Sequence, residues 1–380
     1  MLPRTESACF AIADISGYTR FVSGVELDHA QDIIADIMDS LVRALRPPFR
    51  LAKFEGDAAF VYAPADKVDG ALLQDSIEQA YFAFRKRLRS IKQASACECQ
   101  ACRGMQSLDV KFVAHHGEFI RQKMVGREEL AGRDVILVHR LLKNDVAKTL
   151  GRRAYALYSD ACLRALGVDP AAQGLSAHSE KIEHIGETKC WVSDLEDAWT
   201  RETGTARTLV SRAEALMIME RDFAAPRQVV WDLVTSPAHH NRWHRSDGVV
   251  ENTTKGRRGA GTQNHCQHGK DAVIEDILDW RPFDYVTLTA LLPIPGAPKI
   301  LFSYTFEDRG DGGTHFEFRV AKPKPKDMPF YERVRPAVEA DFTAGFDILR
   351  TMVAEQAGAS PPENEPPLPV SRQRFLTQPR

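Results

Sequence analysis

The chain has 380 residues, enough for two domains at roughly 100–200 residues each. Hydrophobic residues make up 43% and charged residues 27%, which excludes a wholly disordered chain, and no run approaches the ~20 consecutive apolar residues of a membrane span. A formal charge of −2 removes any bulk electrostatic drive toward nucleic acid or an anionic membrane.

Residues 8–14 read as a buried strand ending in Asp14, and Gly17 breaks the pattern. Apolar side chains at Ile33, Ile34, Ile37, Met38, Leu41, Val42 and Leu45 predict a helix over 26–46, stopped by Pro47-Pro48. Strands at 50–54 and 57–63 flank Glu55-Gly56 as a hairpin. An amphipathic helix over 74–93, a strand at 108–114, a helix over 133–149 and a closing strand at 188–194 follow. This order predicts an α+β sandwich of the ferredoxin-like kind over 1–198.

The polar stretch 199–212 lacks a period and reads as a linker. Beyond it come a strand at 215–223, Pro226 opening a helix to Thr235, and strands at 272–280, 284–292, 299–307 and 313–321. A last helix over about 331–356 carries Val334, Val338, Phe342, Phe346, Leu349 and Val353 on one face. A curved antiparallel sheet around a long C-terminal helix fits 213–356, and the Pro-rich residues 357–380 read as a disordered tail.

Two segments carry the chemistry: Ala13-Asp14-Ile15-Ser16-Gly17-Tyr18-Thr19 and Lys53-Phe54-Glu55-Gly56-Asp57. Each puts an aspartate at a strand end or tight turn. If the strands are neighbours, two carboxylates converge, which is costly unless a cation sits between them. Mg²⁺ or Mn²⁺ uses such oxygens together with substrate phosphates. A pair of such ions activates a hydroxyl and stabilises a pyrophosphate leaving group. The plain alternative is one capping and one turn aspartate.

The first segment resembles the opening strand of class III nucleotidyl cyclase domains, and the second resembles their Lys-x-x-Gly-Asp hairpin. His116-Gly117 and the run from Gly132-Arg133-Asp134-Val135 to His139-Arg140 continue the resemblance, which spans roughly residues 7–196. It implies that Asp14 and Asp57 bind two Mg²⁺ or Mn²⁺ ions and that the backbone from Ile15 to Thr19 approaches the triphosphate. It implies that Lys53 contacts the purine, favouring ATP, with Glu129 as a second base-reading acid. Arg140 is implied to steady charge on the transferring phosphoryl group, a task suited to its planar fork of donors. The resemblance also implies a homodimer, with metals held by one subunit and Lys and Arg supplied by the other. One position departs: four residues before the arginine, where the family usually has a ribose-orienting asparagine, stands Ile136.

Cys97, Cys99 and Cys102 crowd one short stretch of a chain with seven cysteines. Three thiolates suit Zn²⁺, with His115, His116 or a second subunit's cysteine as a fourth ligand. A redox-sensitive cluster and three plain reduced thiols are the other readings. The odd count, and an N-terminus without a basic region leading into an apolar core, point to a reducing cytoplasm.

In the C-terminal half, Ala225-Pro226 through Val234, Arg242-Trp243 and Ile274 through Phe283 resemble the START-like, polyketide-cyclase (SRPBCC) superfamily. That resemblance implies a helix-grip fold holding a lipid or other apolar molecule. Trp231, Trp243 and Trp280 read as core. His239, His240, His244, His265 and His268, with Cys266, invite a metal reading, but His265 and Cys266 fall on opposite faces of a strand, so His265-Cys266-x-His268 does not converge as a simple metal triad.

Two functions follow. One is a cyclase that forms a cyclic nucleotide and pyrophosphate under control of an apolar-ligand domain. The other is a degenerate cyclase fold that only binds nucleotide or dimerises, beside a working START-like pocket.

Overall fold

A computed structural model describes residues 4–357 apart from 24, 26, 95–99 and 125, and divides them into two units at Thr205/Ala206. The first unit runs β1 (Thr5–Ser16), α1 (Tyr18–Ser23), α2 (Leu27–Leu45), β2 (Arg50–Glu55), β3 (Ala58–Pro64), α3 (Gly70–Ala94), α4 (Gln100–Gly104), β4 (Asp109–Met124) and β5 (Arg127–Ala131). It continues with α5 (Arg133–Leu141), α6 (Val146–Thr149), β6 (Tyr155–Ser159), α7 (Asp160–Ala165), β7 (Ser176–Ile182), β8 (Gly186–Asp194) and α8 (Leu195–Gly204). The strands form one sheet in the order β2-β3-β1-β4-β6-β8-β7, with β5 paired to β4.

The unbroken apolar run of β1 follows from burial on both faces. Cys9, Ala11, Ala13 and Ile15 join the core under α2 and α3, while Ala8, Phe10 and Ile12 join a second core under α5. Asp14 continues the second set, so its carboxylate lies on the α5 side.

Three expectations need correction. The strand expected to stop at residue 114 continues to Met124, because β1 pairs with it as far as Thr5↔Ile120 and β5 pairs with its second half. The helix expected over 133–149 breaks into two, because the Asn144 side chain bonds Leu141 O at 2.8 Å and Val146 N at 3.2 Å and competes with the backbone ladder. The polar stretch 199–212 is not free. Trp199 is buried in α8 against Phe82, and Val210 is buried in the second unit, where its N–H meets Ser303 Oγ at 3.0 Å.

The second unit runs β9 (Ala215–Phe223), α9 (Arg227–Thr235), α10 (Pro237–Trp243), β10 (Gly248–Asn252), β11 (Gln263–His268), β12 (Asp271–Arg281), β13 (Tyr285–Leu291), β14 (Ile300–Asp308), β15 (Thr314–Ala321) and α11 (Met328–Ala357). Its antiparallel sheet has the order β10-β11-β12-β13-β14-β15-β9. Phe342 of α11 stacks on Phe318 of β15 with ring centres 3.9 Å apart, and Trp231 packs edge-on against Trp280 and Phe306. No helix among the described residues is long and apolar enough to cross a membrane. The expected tail, 357–380, lies outside the described residues except for Ala357.

Candidate functional site

The hairpin between β2 and β3 turns at Gly56, whose φ of 66° suits a residue without a side chain. The turn sets Asp57 against the end of β1, where the N–H of Ile15 donates to Asp57 O at 3.1 Å. Asp14 and Asp57 then line one cavity of ≈ 590 Å³, together with Ile15, Thr19, Lys111 and Arg153. Lys111 stands opposite Asp14 in the β1–β4 register, and its Nζ lies 3.2 Å from Asp14 Oδ2. Burial, then the charge of Asp14, raise the pKa of Asp57, and Lys111 partly opposes them. Two carboxylates that repel across an open cavity are a fitting donor set for Mg²⁺ or Mn²⁺.

A second cluster forms on the same side of the sheet. Lys53 is the register partner of Phe60, whose side chain belongs to the α5 core. Lys53 Nζ lies 3.0 Å from Glu55 Oε1 and 3.5 Å from Glu129 Oε2. Burial opposes its charge, but the two glutamates outweigh burial and raise its pKa. His139 of α5 faces Val135 O at 2.7 Å through Nδ1 and Glu55 at 3.1 Å through Nε2. Glu55 thus ties the lysine-bearing strand to the helix carrying Arg140. Arg140 is exposed, and one turn before it on α5 Ile136 is 57% exposed.

The structure therefore brings Asp14 to Asp57, and Lys53 to Glu129. It does not bring the two sets together: none of Lys53, Glu129 and Arg140 lines the cavity of the aspartates. Cys97 and Cys99 lie outside the described residues, as does the side chain of Cys102. Cys9, Cys162, Cys190 and Cys266 are free and buried.

Sequence reasoning missed Lys111, Arg153, Glu55 and His139. Lys111 had a signal, as a lysine within the apolar run from Val110 to Ala114, in phase with Val113 and His115. Glu55 and His139 had none, since their meeting depends on how α5 crosses the sheet.

The α5 helix is held at close quarters. A Cβ on Gly117 would come within 2.3 Å of Asp134 Cγ, and Asp134 Oδ2 accepts from the N–H of Glu118 at 2.7 Å. Behind it, buried His115 bonds Ser159 Oγ at 2.7 Å, and burial lowers its pKa against the pull of Asp134.

In the second unit, a cavity of ≈ 860 Å³ lies between the sheet and α11, lined by apolar residues such as Phe302, Phe318, Val334 and Val338 and by the polar groups of His244 and Glu275.

Family models match residues 34–149 to a family described as "Protein of unknown function (DUF2652)" and residues 217–354 to "Polyketide cyclase / dehydrase and lipid transport". The Mycobacterium tuberculosis protein named "Uncharacterized protein Rv2561/Rv2562" is 38% identical over 163 residues, which are 43% of this chain and 73% of that protein. Among solved structures, the guanylyl cyclase Cya2 aligns at 15% identity and a TM-score of 0.37, over 50% of this chain and 93% of its own. The adenylyl cyclase CyaB from P. aeruginosa aligns at 15% and 0.35, over 51% and 97%. Protein Ms6760 from Mycobacterium smegmatis aligns at 13% and 0.31, over 39% and 95%.

Proposed function

The chain belongs to the family of the Mycobacterium tuberculosis protein Rv2561/Rv2562, and we propose that it acts as a nucleotidyl cyclase whose centres are each built from two copies of the chain. The observation that carries this is the separation within one chain of two clusters: the acid pair Asp14–Asp57, and the Lys53–Glu129 pair, which Glu55 links to the helix that carries Arg140. Each cluster holds what the other lacks, so a two-fold pair of chains completes two centres.

The substrate is a nucleoside triphosphate, with ATP preferred. Lys53 donates and Glu129 accepts, which fits the ring nitrogen and exocyclic amine of adenine; the same pair also fits the carbonyl and ring N–H of guanine, so the preference for ATP rests on the likeness of Lys53 to the base-contacting lysine of adenylate-type cyclases. Mg²⁺ or Mn²⁺ held by Asp14 and Asp57 would lower the pKa of the ribose hydroxyl and offset charge on the pyrophosphate. The 3′ oxygen attacks the α phosphorus, the bond to the β-phosphate oxygen breaks, pyrophosphate leaves and the hydroxyl proton passes to solvent. Lys111 and Arg153 line the cavity where phosphate charge collects, and Arg140 from the second copy steadies the equatorial oxygens. The C-terminal cavity takes an apolar ligand, and it regulates the pair only if that ligand binds two arrangements with different affinity.

The test is incubation with Mn²⁺ and each of ATP, GTP, CTP and UTP, read by mass spectrometry for cyclic product. Asp57→Ala and Arg140→Ala should each be inactive alone. Mixed after co-refolding they should recover roughly a quarter of wild-type turnover, since half the dimers are mixed and each has one sound centre. Ile136 supports the second reading, a nucleotide-binding module without turnover. ATP retained with no product from any nucleotide selects it.

A further inference from the structure

The run His265-Cys266-x-His268 makes no metal triad, because His265 and Cys266 lie on opposite faces of a strand. The fold gathers a different set. His240 in α10 and His244 capping it are one helical turn apart, and Glu275 of β12 faces them from the sheet. We propose that His240, His244 and Glu275 form a zinc site in the wall of the C-terminal cavity, with its fourth position open to that cavity.

Three observations meet here. The ligand atoms of the three side chains all lie within 4.8 Å of one another. Small side-chain rotations bring them to the ~3.4 Å separation of tetrahedral donors with bonds near 2.1 Å. His240, 5% exposed, gives Nδ1–H to Val234 O at 2.8 Å, which turns the lone pair of Nε2 inward, where Cys266 Sγ lies 3.8 Å away. A backbone carbonyl that fixes the ring in this way is the usual outer support of a metal-bound histidine.

His244 has both ring nitrogens shut off from solvent and without a hydrogen-bond partner. Burying such groups unpaired is costly. Glu275 is 2% exposed and its polar neighbours are Asn264 Nδ2 at 3.3 Å and Cys266 Sγ at 3.7 Å, with no lysine or arginine ion-paired to it among the described residues. A buried carboxylate without a cation carries a heavy desolvation cost.

One divalent cation satisfies the unpartnered His244 imidazole and the unpaired Glu275 carboxylate together. Two imidazoles exclude Mg²⁺ and Ca²⁺ as preferred occupants, and a His₂Glu set with an open fourth position is a zinc arrangement. His244 and Glu275 line the apolar cavity, so that position faces whatever the cavity holds. Cys266 supports the glutamate as a hydrogen-bond donor.

The experiment uses the full chain with Cys97→Ser, Cys99→Ser and Cys102→Ser, stripped of metal and kept in excess Mg²⁺ so that the thiol cluster and the aspartates take no zinc. Zn²⁺ is titrated, bound zinc per chain is measured after gel filtration, and the melting temperature is followed with and without Zn²⁺. One zinc per chain is expected, with a rise in melting temperature. His244→Ala and Glu275→Gln should each weaken binding by more than about 100-fold, beyond the 10–100-fold that outer-shell partners command, and abolish the thermal response. If His244→Ala does not fold by circular dichroism, Glu275→Gln carries the comparison. A parent that binds no zinc, or folded variants that bind it equally well, overturns the assignment.

Discussion

Burial and the negative charge of Asp14 both raise the pKa of Asp57, and Lys111 opposes them. A carboxyl raised in the folded state binds more protons folded than unfolded between its two pKa values, so stability falls as pH climbs through that window. Asp57→Asn removes the charge. In the absence of divalent metal it should melt higher than wild type at pH 7, and the gap should close toward pH 4, where the wild-type carboxyl takes up its proton. Calorimetry across that range checks the sign, and product analysis should show turnover lost in the same variant. Ile136 is the other residue whose replacement is informative. At 57% exposure it contributes little to the core, so Ile136→Asn should fold normally. It should raise cyclic product by up to about 10²-fold, the scale set by one well-aimed donor. Asp14, Asp57, Lys53 and Arg140 were legible because short motifs quote them in order. Lys111, Glu55 and His139 were not, because strand register and helix placement assign their partners.

The helix α5 shows how an element inherits its position from residues outside it. Asp134 in its first turn accepts from the N–H of Glu118, and the room for it exists only because residue 117 has no side chain. Gly117→Ala should force Asp134 away and cost about 1–3 kcal/mol, as overpacking does. Urea unfolding checks the stability. Product formation should also fall, since α5 carries Arg140. Periodicity found most strands of both units and the long helices α2, α3 and α11, because apolar alternation and 3.6-residue spacing follow directly from burial. It did not find β5, β6, β7, β10 or β11. These strands are short or polar, and they are specified by a partner strand rather than by their own pattern. The second half of β4 was hidden in the same way by His115, His116 and Gly117, polar residues that sit in a strand because β1 and α5 hold them there.

At the scale of the molecule, the chain joins a unit with the Asp14–Asp57 cavity and the Lys53–Glu129 cluster to a unit with an open, largely apolar cavity. The architecture of each was readable from element order. The joining of Glu275 to His240 and His244 was not, since a helix and a strand some thirty residues apart bring it together. The hairpin of β2 and β3 has one more effect. It carries Lys53 and, four residues on, Asp57, separated by no more than about 13 Å of extended chain. In a two-fold pair these residues serve different centres. Each hairpin is then a short beam with one end in each, and substrate that pulls on Asp57 in one centre tilts Lys53 in the other. On the proposed two-fold arrangement, occupancy of the first centre would thereby reach the second, so the pair should fill its centres with cooperativity rather than independently.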